Sequence, residues 1–256
     1  MSCCLAGAFV TLPITIHSTA MSIFRFKQFN VSQAGCAMKV NTDGVLLGAL
    51  ANGDAALSAL DIGTGTGVIS LMLAQRFPAL QVDAVELDEA AAQTAANNFF
   101  QSPFADRLTM HAQSFQSYFA QQPGKMFELI ISNPPFYIQS LPSPGEKKSM
   151  AKHADDHFFQ ELIAACTAHL STEGILWVIL PLSTSALVKQ VAASHGLCIQ
   201  QVISIQSYSH TAPHREILAM GHQQTEASLH RLTIYNAPKI YHAEYKNLLK
   251  NFLTIF

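Results

Sequence analysis

The chain has 256 residues, of which 49% are hydrophobic and only 12% charged, well below the roughly 25% charge of a typical globular domain, so it can bury a large core and is not disordered. Its longest apolar stretch, residues 3–16, is interrupted by Pro13 and falls short of the roughly 20 residues that cross a bilayer, which predicts no membrane span. Fifteen Lys and Arg against seventeen Asp and Glu give a formal charge of −2, which alone indicates no polyanionic partner.

Predicted strands and helices alternate from residue 44 onward. The predicted helices are 44–51, 68–76, 89–100, 158–170, 184–194 and 241–252. The predicted strands are 58–62, 81–87, 107–111, 127–132, 175–180, 198–205, 215–221 and 231–235. Segment 127–132 is almost continuously apolar, as is typical of parallel strands buried on both faces. The alternation predicts an α/β fold that binds ligands beyond the carboxyl ends of its strands.

Three glycines at alternate positions follow the predicted strand 58–62. They are Gly63, Gly65 and Gly67. Because glycine has no Cβ, the chain can turn tightly there and a nucleotide-like ligand can lie against bare peptide groups. The spacing differs from the G-x-G-x-x-G of dinucleotide-binding proteins, and a plain turn is the competing interpretation.

Glu86 ends the next predicted strand. A carboxylate at this place, about 20 residues after the glycines, can accept hydrogen bonds from ribose hydroxyls. Alternatively, Glu86 or Asp88 caps the helix that follows. The glycines and Glu86 together favour an adenosine-containing cofactor, but they do not separate NAD from S-adenosylmethionine.

The sequence Asn133-Pro134-Pro135-Phe136 follows the buried strand 127–132 directly. Two prolines stiffen the backbone and remove two N–H donors, so the Pro134 carbonyl can point into a site. The Asn133 side-chain oxygen adds a second acceptor for the same NH₂ group. Phe136 offers an aromatic face on which a flat ring can stack. This arrangement indicates chemistry on an amino nitrogen of a planar substrate.

These motifs resemble those of class I S-adenosylmethionine-dependent methyltransferases that modify amino nitrogens, with Asp61 opening the glycine motif. The segments 26–29 and 36–49, with Pro213-His214-Arg215 and Tyr241-x-x-Glu244-Tyr245, are closer to one family. They resemble the bacterial valine-tRNA adenine-37 N6-methyltransferases over residues 24–256.

The resemblance implies a Rossmann-like fold with a seven-stranded, mostly parallel sheet and helices on both faces. It implies S-adenosylmethionine as cofactor, no metal, and methyl transfer to N6 of adenine 37 in the anticodon loop of a valine tRNA. The implied catalytic residues are Asn133, Pro134, Pro135 and Phe136. The implied cofactor-binding residues are Asp61, Gly63, Gly65, Gly67, Glu86 and Ser114. Ser114 stands where the family tends to have an Asp, and its hydroxyl is a weaker acceptor.

Basic residues concentrate at the two ends of the chain. Residues 21–40 hold three bases and no acid, 41–212 hold seven bases against fourteen acids, and 213–256 hold five bases against three acids. Such asymmetry is compatible with an anionic partner held by the ends. We expect Arg25, Lys27, Lys39 and Arg215 to contact tRNA phosphates.

We divide the chain into an irregular extension (1–20), a basic N-terminal segment (21–52) and a methyltransferase domain with an added C-terminal strand and helix (53–256). The five cysteines lack C-x-x-C spacing and are odd in number, which favours reduced thiols in the cytoplasm over disulfides or zinc. His153, Asp155, Asp156 and His157 are ligand-type residues, but we interpret Asp156 as a helix cap and predict no metal site.

Two alternatives stay open at this point. Asn-Pro-Pro followed by an aromatic residue also occurs in methyltransferases acting on guanine N2 of rRNA or on a protein glutamine. A protein that has lost catalysis and only binds RNA is the alternative from another class.

Overall fold

The computed structural model describes residues 23–135 and 147–256, with 147–155 as backbone only. The extension 1–20 and Phe136 therefore lie outside the described residues. The strands are β1 (Ile23–Arg25), β2 (Asn30–Ser32), β3 (Ser58–Ile62), β4 (Gln81–Glu86), β5 (Leu108–Ala112), β6 (Phe127–Ser132), β7 (Leu170–Pro181), β8 (Cys198–Tyr208), β9 (Arg215–Gly221), β10 (Ser228–Ala237) and β11 (Ile240–Tyr241). The helices are α1 (Thr42–Leu50), α2 (Val68–Arg76), α3 (Glu89–Phe100), α4 (Phe115–Gln121), α5 (Lys147–His169), α6 (Leu182–Ser194) and α7 (Ala243–Leu249).

Nine of the described strands form one sheet in the order β11-β10-β8-β9-β7-β6-β3-β4-β5, while β1 and β2 form a separate hairpin. Strand β9 runs antiparallel to both its neighbours, and β11 is antiparallel to β10. The α/β class and the mostly parallel sheet are confirmed. The predicted count of seven strands is wrong, because β10 and β11 extend the same sheet at one edge.

Helices cover both faces of the sheet and form two apolar cores. One core contains side chains of α1, α2, α3 and α7, and the other contains those of α4, α5 and α6. Neighbouring residues of β6 alternate between them, since Leu129 and Ile131 pack in the first core and Ile130 in the second. This double burial explains why segment 127–132 is apolar at nearly every position.

The N-terminal segment belongs to the first core. Phe26 and Phe29 are 4% exposed and their rings stack with centroids 4.5 Å apart. The Lys27 amine donates hydrogen bonds to the carbonyls of Lys250 at 2.6 Å and Phe256 at 2.7 Å, which ties this segment to the end of the chain.

Two local predictions are corrected. Helix α4 was absent from the predicted elements, although Phe115, Tyr118 and Phe119 pack in the second core at helical spacing. Helix α5 begins at Lys147, so Asp156 lies inside a running helix and is not its cap. The predicted start, residue 158, lies eleven residues after the observed one, because the apolar spacing typical of a buried helix face begins only there.

The described residues contain three cysteines and bear on the predictions for disulfides, metal sites and membrane spans. Among these residues, Cys36, Cys166 and Cys198 are free, no group of three ligand-type side chains could hold a metal ion, and no helix is long and apolar enough to cross a membrane.

A half-buried polar cluster fastens β4 to β5 and α4. The Asp83 carboxylate accepts hydrogen bonds from His111 Nε2 and Tyr118 Oη, both at 2.9 Å, and pairs with the Lys125 amine. Burial alone would raise the pKa of Asp83, but these hydrogen bonds outweigh it and lower the pKa to about 2. The cluster holds together β4, which ends at Glu86, and the elements on either side of Ser114, which are β5 and α4.

Asp83→Asn should therefore lower the free energy of unfolding at pH 7 by roughly 2 kcal/mol, since each pKa unit is worth about 1.4 kcal/mol. A lowered carboxyl pKa stabilises the fold above the unfolded-state value near 4, and this contribution disappears as the pH falls through about 2. Urea unfolding from pH 6 to pH 3 measures the difference from wild type. A difference that stayed constant over this range, or that matched the exposed control Asp106→Asn, would contradict the role of the cluster.

Candidate active site

A cavity of about 810 Å³ opens where the carboxyl ends of β3, β4 and β6 meet. Strand β3 lies between β4, which follows it in the chain, and β6, which follows much later, so the strand order reverses there. Open α/β sheets bind ligands at such a reversal. The lining residues relevant to the sequence predictions are Lys39, Gly63, Gly65, Glu86, Ser114, Asn133, Pro134 and Pro135.

The glycine turn forms one wall of this cavity. Gly63, Gly65 and Gly67 all have left-handed backbone, with φ of 71°, 57° and 81°. A Cβ on Gly63 or Gly65 would meet nothing within 4 Å, so the backbone there is open to a ligand. A Cβ on Gly67 would stand 2.5 Å from the Phe99 ring. Gly67 thus serves close packing at the start of α2, and it is not among the cavity-lining residues.

Asp61 lies behind the turn and does not line the cavity. It is fully buried, and its Oδ2 accepts hydrogen bonds from Thr64 Oγ1 and Ser70 Oγ, both at 2.6 Å. Burial raises the pKa of Asp61 to about 6, although these hydrogen bonds act in the opposite direction. The structure therefore gives Asp61 a position from which it orients the glycine turn.

Glu86 lines the opposite wall at the end of β4. Its carboxylate accepts hydrogen bonds from Gly65 N at 2.9 Å and from Asp88 N at 3.0 Å. The helix cap is Asp88, whose side chain accepts from Ala91 N at 2.8 Å. Asp88 therefore caps α3, whereas Glu86 lines the cavity and its binding of the ribose stays a prediction.

Ser114 lines the cavity but already has partners. It is the N-cap of α4, where Oγ accepts from Ser117 N and donates to Ser117 Oγ, both at 3.1 Å. A serine that caps a helix has less capacity to bind an adenine amino group than a free hydroxyl.

Asn133 has a buried side-chain oxygen with no partner. Oδ1 is inaccessible to solvent and accepts no hydrogen bond within the described part of the chain. Buried polar atoms are almost always paired, so an unpaired acceptor on a residue that lines the cavity makes Asn133 the candidate to accept a hydrogen bond from a ligand.

Pro134 is buried and Pro135 is exposed, and both line the cavity beside Asn133. Phe136 lies outside the described residues, so its stacking role stays a prediction. Sequence analysis missed Leu87 and Phe158, which also line the cavity. Leu87 is 72% exposed. Its position directly after Glu86, at the end of a strand, was the sequence signal that could have placed it in the cavity.

The four basic residues expected to bind RNA lie in different settings. Arg25 and Lys39 are exposed, and Lys39 also lines the cavity. Lys27 is bound to the carbonyls at the end of the chain, as described above. Arg215 Nε donates to Asp43 Oδ2 at 2.8 Å and Nη1 to the His214 carbonyl at 3.0 Å. Two of the four therefore have structural partners.

Comparisons with known proteins agree with this geometry. The sequence model of the family "Methyltransferase small domain" matches residues 41–192. The structure is similar to a predicted O-methyltransferase from Agrobacterium tumefaciens, with a TM-score of 0.61, 18% identity, and coverage of 82% of this chain and 96% of that one. The fold and the site define a class I methyltransferase.

Two curated relatives specify the family. A tRNA1(Val) (adenine(37)-N6)-methyltransferase of Pedobacter heparinus is 45% identical over 91% of this chain and 98% of its own length. The protein of the same name from Bacteroides thetaiotaomicron is 38% identical over 91% of this chain and 98% of its own length. The chain belongs to the tRNA1(Val) (adenine(37)-N6)-methyltransferase family.

Proposed function

We propose that this protein transfers the methyl group of S-adenosylmethionine to N6 of adenine 37 in tRNA1(Val). The observation that carries the proposal is the unpaired side-chain oxygen of Asn133, a residue that lines the cavity. It supplies the acceptor that an amino nitrogen needs, in a chain 45% identical to an enzyme named for this reaction.

The cavity fits the cofactor in three respects. The open backbone at Gly63 and Gly65 allows close approach of a nucleoside and its amino-acid tail. Glu86 can accept the ribose hydroxyls and keep its hydrogen bond from Gly65 N, because a carboxylate has about four acceptor positions. Gln113 and Ser114 lie at the end of β5, on the wall where the adenine ring would rest. When bound, the cofactor supplies an electrophilic methyl group on a sulfonium that is a good leaving group.

Asn133 and Pro134 act on the substrate amine. The N6 lone pair of adenine is delocalised into the ring, which makes the nitrogen a poor nucleophile. Acceptors at Asn133 Oδ1 and the Pro134 carbonyl bind the two N–H groups and favour the pyramidal geometry that localises this lone pair. The amine becomes positive as it is methylated, so these hydrogen bonds strengthen in the transition state. Positioning by Phe136 and the cavity walls supplies the rest of the rate enhancement.

Contacts with tRNA phosphates are assigned to Arg25 and Lys39, whose side chains are exposed. Lys27 and Arg215 support them by holding the N-terminal segment and the start of α1 against the fold. The free thiols among the described residues fit a reducing compartment, and we propose the cytoplasm.

The double variant Arg25→Glu and Lys39→Glu should bind tRNA more weakly and with less salt dependence. The slope of log K against log salt should flatten by about 0.7–0.9 per lost phosphate contact. Filter binding of tRNA at several salt concentrations from about 50 to 200 mM measures this slope. Lys27→Met is the matched control: it should lower the melting temperature while leaving the salt slope unchanged. An unchanged slope in the double variant would reject the assignment.

Methyl transfer itself is tested with purified protein, tritiated S-adenosylmethionine and an unmodified tRNA1(Val) transcript. Label should enter this transcript and should not enter one that carries guanine at position 37. Equal labelling of both transcripts, or of neither, would overturn the proposed function.

A further inference from the structure

Five aromatic rings form a continuous ladder beside the C-terminal strands. In order they are Tyr245, Tyr241, Tyr235, Tyr208 and His210. The successive ring centroids are 5.3, 5.0, 5.8 and 5.6 Å apart. The terminal pair, Tyr208 and His210, is stacked at an interplanar angle of 16°.

Exposure increases along this ladder. Tyr245 is 6% exposed and packs in the first core, the three central rings are half-buried, and His210 is exposed. A tight turn holds the outer end in place: Thr211 N donates to the Tyr208 carbonyl at 3.0 Å, and Thr211 Oγ1 accepts from Tyr208 N at 3.0 Å. The fold therefore presents a preformed aromatic stack that ends at the surface.

The ladder lies on the same edge of the sheet as the cavity. Strand β8 is antiparallel to β9, which is antiparallel to β7, so β8 ends at Tyr208 on the edge where β6 and β7 end. Residues 209–214 lead from the ladder to Arg215, whose Nε contacts Asp43 in the first turn of α1. Asn41 and Gly44, on either side of Asp43, line the cavity.

We propose that His210, supported by the rings behind it, stacks an unpaired base of the tRNA next to the target adenine. This inference rests on the proposed function. A target adenine drawn into the cavity leaves its neighbours unstacked, and single-stranded RNA bases stack on aromatic side chains. Lys239 adds an exposed cation in the turn between β10 and β11, next to Tyr235 and Tyr241 in sequence.

The backbone of Lys239 is consistent with this assignment. Its φ of 64° makes it the one non-glycine residue with positive φ in the described ranges. Lys239 follows Pro238 in the two-residue turn between β10 and β11, and positive φ at the second position of such a turn fixes the backbone from which its side chain extends. From this turn, the Lys239 amine can contact a phosphate of the same RNA segment whose base stacks on His210.

The test compares His210→Ala, His210→Phe and wild type in the full-length protein. The Kd for unmodified tRNA1(Val) should rise about tenfold in His210→Ala, within the range measured for base–aromatic stacking, and His210→Phe should restore most of the affinity. Because a ring carries no phosphate contact, the salt slope of binding should stay unchanged. His195→Ala, an exposed histidine at the opposite end of β8, is the matched control.

A second readout reports stacking directly. A tRNA1(Val) transcript with 2-aminopurine beside adenine 37 should lose fluorescence on binding wild type, and lose much less on binding His210→Ala. Unchanged Kd and unchanged quenching in His210→Ala would overturn the inference even if wild type methylates adenine 37. Failure of wild type to methylate the transcript would instead reject the proposed function.

Discussion

Asn133→Ala should lower kcat for tRNA1(Val) about 10²–10³-fold, the effect of removing one group that stabilises developing charge in an enclosed site. The KM for tRNA and the Kd for S-adenosylmethionine should change little, because the acceptor gains most of its interaction energy in the transition state. The structural reason is that Asn133 lines the cavity and its buried Oδ1 has no partner inside the described part of the chain.

Steady-state kinetics, thermal melting and cofactor titration on the same preparation check this prediction. Asn97→Ala, an exposed asparagine on α3, is the matched control and should behave as wild type. A variant that kept most of its turnover, or that lost turnover only in proportion to lost folded protein, would make Asn133 structural. Phe136→Ala should by contrast reduce both kcat and apparent tRNA affinity, whereas Phe136→Tyr should be tolerated.

Glu86→Ala should weaken binding of S-adenosylmethionine by roughly 1.5–3 kcal/mol, the scale of hydrogen bonds to a charged group. Two effects act together, since the variant loses the acceptor for the ribose and also the carboxylate that holds Gly65 N. Glu86→Gln retains one acceptor oxygen and should give a smaller loss. Isothermal titration with the cofactor and with its demethylated product measures both.

Glu89→Ala, at the exposed first residue of α3 and outside the cavity lining, should leave cofactor affinity unchanged. The titration also tests the choice of cofactor that glycines and Glu86 left open. Saturable NAD binding by wild type, with no response to S-adenosylmethionine, would contradict the assignment of this cavity.

Much of the fold was predictable because its signals are local. The core strands are continuous apolar runs, and the glycines, Glu86 and Asn133 each stand where a strand ends, so the topology alone brings them to one edge. Helix α4 was missed because Ser114 was considered only as a cofactor ligand. Its place before Phe115, Tyr118 and Phe119 is also that of an N-cap before a short amphipathic helix.

The rest depends on contacts between residues distant in sequence. Arg215 pairs with Asp43 and Lys27 binds carbonyls at the end of the chain, and neither partner can be inferred from local composition. Asp61 is a different case: it belongs to the glycine motif, its Oδ2 accepts hydrogen bonds from the nearby Thr64 and Ser70, and it does not line the cavity. The aromatic ladder joins β8, β10, β11 and α7, and only the sheet order brings these elements together.

Identification of the methylated nucleoside tests the central claim most directly. Wild-type protein is incubated with S-adenosylmethionine and total tRNA from a strain that lacks its gene, and the digested nucleosides are analysed by mass spectrometry. We expect N6-methyladenosine as the new nucleoside, recovered from the fragment of tRNA1(Val) that contains position 37. Methyl groups on guanine N2 or on protein, or no new methylated nucleoside, would contradict the assignment of Asn133 and Pro134 to the amine of adenine.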